Sequence, residues 1–324
     1  MKVSIIDCVR SPRRRGRLAT LLFVLMVLAR CGMAQITFTA TNLADAFLAT
    51  GSVSNSEGTN LTGLNFGGAG TLALAPASSP NGEYQSVLRF SVSNAISLFD
   101  SALGTNSWRI TNVSLSFASN FGTEGAQPSL GMFDAVHGGQ FVVEWLADDS
   151  WDEGSGNPNA PSASGVTYDS LTNLLSFPHE ILETNTYTPP GNNVREAYSL
   201  RLGTNVIADI TSGGEISFRL YAVDQQLSYL FNSHEFGHGN EPRIQITAVP
   251  ARLEILSGYF TNGNFRLVGV GRANLAYQVQ ATTNLTGSNW VTLGTVVSDG
   301  AALIQYDDLT ASNHARRFYR LSQF

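Results

Sequence analysis

Side-chain polarity in this chain alternates with a period of two, in short runs, and this constrains the fold more than any other feature. Val113, Leu115 and Phe117 fall to one side of Ser114 and Ser116. Phe141, Val143 and Trp145 repeat the pattern, as do Tyr198, Leu200 and Leu202, then Ile216, Phe218, Leu220 and Ala222, then Ile244, Ile246 and Ala248. Each run is bounded by Gly, Asn, Ser or Pro, whose backbone preferences suit turns. Successive side chains of an extended chain point to opposite faces, so the runs read as antiparallel strands with one buried face. Helical spacing is scarce. It appears at Ile96, Phe99 and Leu103, where Asn94 can cap the start and Gly104 the end, and more weakly near Leu171 to Leu175. Many short strands separated by turn signals must bury a face against another sheet. The chain therefore reads as all-β, a jelly-roll-like antiparallel β-sandwich.

A boundary is expected at Val249-Pro250-Ala251, because proline cannot donate to a strand ladder and a second set of strands begins beyond it. That set includes Phe265 to Val268, Tyr277 to Gln280, Ala302 to Tyr306 and Arg317 to Leu321. The expected division is a signal segment at 1–34, a β-sandwich domain at 35–249 and a smaller sandwich at 250–324.

The N-terminal segment has the three-part layout of a secretory signal. Lys2, Arg10, Arg13, Arg14, Arg15 and Arg17 precede an apolar run from Leu18 to Ala29, and Gly32-Met33-Ala34 supplies small residues before Gln35. The run is too short to span a hydrocarbon core of about 30 Å, so stable membrane insertion is not expected. A lipoprotein would need a small residue before Cys31, where Arg30 stands. The chain is thus expected to be secreted, outside the cell or on its surface. Cleavage after Ala34 would remove both cysteines, Cys8 and Cys31, and the only lysine, leaving 12 Arg against 24 acids. This balance argues against nucleic-acid partners, and the missing lysine excludes Schiff-base and P-loop chemistry.

Three groups of residues carry candidate chemistry. His234, Glu235 and His238 match H-E-x-x-H, in which a helix places two imidazoles on one face of a zinc ion. Gly237, Gly239, Asn240 and Pro242 oppose a helix, and Glu241 and Ile244 stand where the extended motif has Gly and His. A surface loop with a decoy zinc motif is expected. Asp148, Asp149, Asp152 and Glu153 form the densest acidic patch, around Trp151. It reads as a calcium site, as a glycosidase carboxylate pair, or as a solvated turn with Trp151 packed on the rim. Arg89, Arg109 or Arg219 could neutralise it. Finally, Trp151, Tyr168 and Tyr187 lie on loop-like segments and are the candidate platform for stacking on sugar rings, whereas Trp145 and Trp290 read as core.

The wording of several strands resembles a known family. Ser86-Val87-Leu88-Arg89-Phe90 is similar to the "LLRFDL" strand of DNRLRE-type extracellular β-sandwich domains. Trp145 to Gly154, Leu220 to Asp224 and Ser228 to Ser233 resemble a longer secreted variant found in planctomycete and verrucomicrobial exported proteins. Tyr277 to Leu285, Asn289-Trp290 and Phe318-Tyr319-Arg320-Leu321 resemble a small Ig-like module appended to such proteins. The resemblance implies contact with extracellular or cell-surface polysaccharide, and carries no ligand-binding residue onto this sequence. The expectation is a secreted, non-catalytic β-sandwich protein that binds polysaccharide; no cofactor is called for, and calcium is the one candidate. The alternatives are a structural or adhesive matrix protein without a small ligand, and a hydrolase or zinc metalloprotease.

Overall fold

The computed structural model describes residues 5–9, 35–51, 60–105, 107–128, 131–286 and 289–323. The apolar run Leu18 to Ala29 and the expected cleavage point after Ala34 lie outside them. The chain is all-β with antiparallel sheets and few helices. It groups into two compact units, one built from residues 37–98 and 110–247, the other from 99–109 and 248–324 with the N-terminal residues up to Ile36.

Strand β1 (Ile5–Val9) belongs to the second unit. The first unit is assembled mainly from β2 (Ile36–Ala49), β3 (Thr71–Leu74), β4 (Tyr84–Ser91), helix α1 (Ala95–Leu103), β5 (Trp108–Ala118), β6 (Gly139–Leu146), α2 (Leu171–Leu174), β7 (His179–Tyr187), β8 (Arg195–Leu200), α3 (Thr204–Ser212), β9 (Glu215–Ala222), β10 (Tyr229–Asn232) and β11 (Arg243–Pro250). Its large sheet has eight strands in the order β7-β6-β9-β4-β2-β11-β5-β8, and β3 pairs with β10 in a smaller one. The alternating residues fill the interior as their period requires. Leu88, Phe90, Phe117, Phe141, Val143, Phe218 and Leu220 are fully buried. Aromatic rings pack face and edge there, with Tyr187 stacked on Tyr229 at 3.7 Å and Phe47 on Phe66 at 4.5 Å.

Two features depart from the alternating pattern. Strands β2 and β4, inside the sheet, are buried on both faces: Ala46, Phe47 and Leu48 of β2 and Val87 and Leu88 of β4 are all fully hidden. The cause is the segment between β6 and β7, which folds back over the sheet. There Trp151, Val166, Leu171 and Leu174 pack on Ala44, Ala46 and Leu48 of β2, Val87 of β4 and Leu146 of β6. The other departure is α3. Its β-branched residues disguise the helical period, yet Val206, Ile207 and Ile210 share one buried face, and Gly213 ends the helix at φ 77°.

The second unit is a two-sheet sandwich. It adds β12 (Glu254–Thr261), β13 (Asn264–Val270), β14 (Ala276–Thr282), β15 (Val291–Val297), β16 (Leu303–Asp308) and β17 (Arg316–Gln323). One sheet runs β1-β17-β14-β15 and the other β12-β13-β16. Phe265, Leu267, Tyr277, Val279, Ile304, Tyr319 and Leu321 form the core. Inside it, Asp308 accepts from Arg317 at 2.6 Å and from the Tyr319 hydroxyl at 2.8 Å, so the buried charge is both paired and hydrogen-bonded. Trp290 is not part of this core: it is half-buried, with the Arg320 guanidinium 4.4 Å above its ring.

Candidate functional site

Asp45 sits in the interior of β2, in the run Ala44-Asp45-Ala46-Phe47-Leu48, with 0 % of its surface exposed. A β-bulge after Asn42 shifts the register against β4. The bulge turns the Asn42 amide onto Asp45, with Nδ2 donating to Asp45 Oδ2 at 2.5 Å. The Asp45 backbone N–H is spent on Glu153 Oε1 at 2.7 Å, and Asp45 Oδ2 also accepts the His234 N–H at 2.8 Å. Three chain segments thus meet at one buried carboxylate.

Carboxylate oxygens of Asp45, Glu153 and Glu235 all lie within 4.8 Å of one another. Two full charges at that separation repel by about 3.5 kcal/mol at an effective dielectric of about 20. That repulsion is relieved by positive charge, from a proton, from a cation or from His234, whose Nδ1 lies 3.6 Å from Glu235 Oε1. Burial, reinforced by the Glu235 charge, holds Asp45 well above the usual carboxylate range, and burial also raises Glu153.

Asn65, fully buried, fixes this arrangement. Its Nδ2 donates to the carbonyls of Glu153 and Val166 at 2.7 and 2.8 Å, and its Oδ1 accepts from Gly67 and Gly156 N–H at 3.1 and 3.0 Å. The packing is too close for side chains. A Cβ on Gly67 would stand 2.0 Å from the Glu153 carbonyl oxygen, and one on Gly154 would stand 2.3 Å from Asn65 Oδ1.

The four acids of the expected calcium patch are not brought together as one site. Asp148 accepts from the backbone N–H and hydroxyl of Ser150, Asp152 is exposed and faces the Gly154 N–H, and Asp149 lies near Ser217, Glu215 and Arg89. Only Glu153 reaches a cluster, because the chain from Asp149 onward is pinned to the sheet. Arg89 holds it there by donating to the carbonyls of Asp149 and Trp151 and stacking 5.0 Å over the Trp151 ring.

The aromatic platform is also corrected. Trp151 is only 6 % exposed, with its indole N–H on Ser217 Oγ at 3.0 Å, and Tyr187 is 1 % exposed in the interior stack. Both rings are consumed by packing. Tyr168 is half-buried and donates to Glu83 at 2.7 Å. At the H-E-x-x-H motif, His234 to Phe236 form one 3₁₀ turn that ends at Gly237, and His238 has φ 58°. Both histidines are exposed. Among the described residues no group of three metal-ligating side chains includes a histidine.

A separate cleft of about 510 Å³ opens between the 76–80 turn, Gln127, the 134–137 segment and the 225–228 turn. Ser78 donates to Gln225 at 2.5 Å, Asn81 to Asp134 at 2.8 Å, and His137 pairs backbone to backbone with Ser228. His137 Nδ1 lies 2.6 Å from Glu124, which fixes its ring. Gln127, Gln225, Gln226 and the serines line the cleft beside Pro76, Pro80 and Leu227, and among the described residues Asp134 is the acid on its wall.

The sequence reading missed Asp45. Its signal was present as a lone carboxylate in the otherwise apolar run from Leu43 to Ala49. No protein-family model matches the chain, and no curated protein is similar to it. Among solved structures it is similar to a β-1,2-glucanase from Parabacteroides distasonis, at 10% identity and a TM-score of 0.18, over 85% of this chain and 35% of that one. The chain spans about a third of that enzyme's length, and so low a score carries no argument about fold or activity. Among the described residues no helix is long and apolar enough to cross a membrane.

Proposed function

We propose that this is a secreted, non-catalytic β-sandwich protein that binds a neutral polysaccharide in the cleft between the 76–80, 134–137 and 225–228 segments. The observation that carries this reading is the cleft's lining. Carboxamides and hydroxyls (Gln127, Gln225, Gln226, Ser78) can donate and accept in the pairs that vicinal sugar hydroxyls require, while Pro76, Pro80 and Leu227 offer apolar surface to ring C–H groups. Its volume lies in the range of about 300–1,000 Å³ usual for ligand sites. Among the described residues no arginine lines it and His137 is its basic side chain, which favours a neutral glycan over an anionic one. Among the described lining residues Asp134 is the acid, whereas glycoside hydrolysis uses two carboxyls.

Affinity electrophoresis of the full chain through gels containing neutral or anionic polysaccharides tests this. Retardation by a neutral polymer is expected, with a loss of about tenfold in affinity in Gln225→Ala plus Gln226→Ala, equivalent to roughly one hydrogen-bonded subsite, and unchanged melting. Migration unaffected by any polymer would favour the structural or adhesive reading. Release of reducing ends would make it a hydrolase.

A further inference from the structure

We propose that Asp45, Glu153 and Glu235 form a site for a divalent cation of the calcium class, which ties strand β2 to the 148–166 loop and the 233–242 loop. The spacing fits such an ion. Oxygens bind calcium at about 2.3–2.6 Å, so two of them on opposite sides stand about 5 Å apart, and the three carboxylates keep oxygens within 4.8 Å of one another. An acidic cluster alone would not establish a site. One further atom points to a ligand. Asp45 Oδ1 is buried and has no hydrogen-bond partner, because both bonds to this carboxylate fall on Oδ2. Asn42 turns its Nδ2 and not its oxygen to Asp45, so it supports the carboxylate from the side and leaves Oδ1 of Asp45 unengaged. Buried oxygens of this kind are costly unless something donates to them or coordinates them.

The donor set chooses the metal. Carboxylate and amide oxygens suit hard cations, whereas structural and catalytic zinc sites are built on nitrogen and sulfur. The H-E-x-x-H segment contributes its glutamate rather than its histidines, since the 3₁₀ turn sends Glu235 to the cluster and leaves His234 and His238 exposed. Binding would add to folding, because two of the three ligands lie on loops and one on a strand.

The rival account is a shared proton, which would neutralise the trio without metal, and raised carboxyl affinities at Asp45 and Glu153 are compatible with it. The test uses the full chain stripped with chelator. Calcium is expected to raise the melting temperature by about 5 °C or more at saturating concentration. Magnesium at matched ionic strength should do much less, and zinc should not replace calcium. Terbium should give emission sensitised by Trp151, two residues from Glu153. Glu235→Gln, an exposed change that spares the fold, should weaken calcium at least about tenfold, and Asp45→Asn should abolish both signals. The proposal is overturned if wild type shows neither a calcium shift nor terbium emission, if Glu235→Gln keeps full affinity, or if zinc alone stabilises.

Discussion

Asn65 shows how much one buried side chain can determine. All four of its hydrogen-bonding positions are used, each on a backbone group of the segments around the acidic trio. Asn65→Ala strands two N–H groups and two carbonyls, so it is expected to cost about 3 kcal/mol or more in urea unfolding. Asp209 makes a pH-dependent case. Burial raises it to about 6 although it accepts the Trp145 indole N–H at 2.8 Å. A folded-state pKa above the unfolded value means that the native state keeps the proton longer. Its stabilising contribution is complete below about pH 4 and is lost as pH rises through 6. Asp209→Asn retains an acceptor for Trp145, so it should stabilise at pH 7 by about 1 kcal/mol after solvent screening. The difference from wild type should vanish at pH 4 in paired denaturation curves. Neither residue was legible in the sequence. Asn65 stands in a loop of ordinary composition, and its importance arises from segments about ninety to a hundred positions away.

At the scale of elements, the strands could be read because a period of two survives in Phe141, Val143 and Trp145 whatever they pack against. What covers the outer face of the sheet could not. The segment from Ala147 to Pro178 is polar and rich in serine, and its few apolar residues carry no period, yet they bury that face. Trp151 was expected at the rim and lies beneath it for this reason. Leu171→Ala in α2 should therefore behave as a core change, costing about 2–3 kcal/mol. If the segment and trio are one structural unit, hydrogen exchange at 152–166 should accelerate in the same variant, while the inner strand β9 stays protected. Acceleration in β9 alone would show that α2 supports the sheet and not the loop.

For the whole molecule, the open question is which residues the folded protein keeps. β1 pairs with β17 through Ile5↔Arg320 to Val9↔Arg316, and it belongs to the stretch whose sequence reads as a secretory signal. An open strand edge accepts backbone from any extended segment, so this pairing does not require a specific sequence. Among the residues whose side chains are described, the buried cluster of the second unit is drawn from residues 265 to 321. The edge that β1 covers carries Arg316 and Arg320, and a charged edge resists pairing with further chains. We therefore expect a chain beginning at Gln35 to fold, with two melting transitions by calorimetry, one for each compact unit. Its smaller unit should lose no more than about 1 kcal/mol relative to the chain from Met1. A collapse of that transition, or oligomers held through β17, would mean that Ile5 to Val9 is part of the working fold, and the reading of the first thirty-four residues as a removable signal would have to be abandoned.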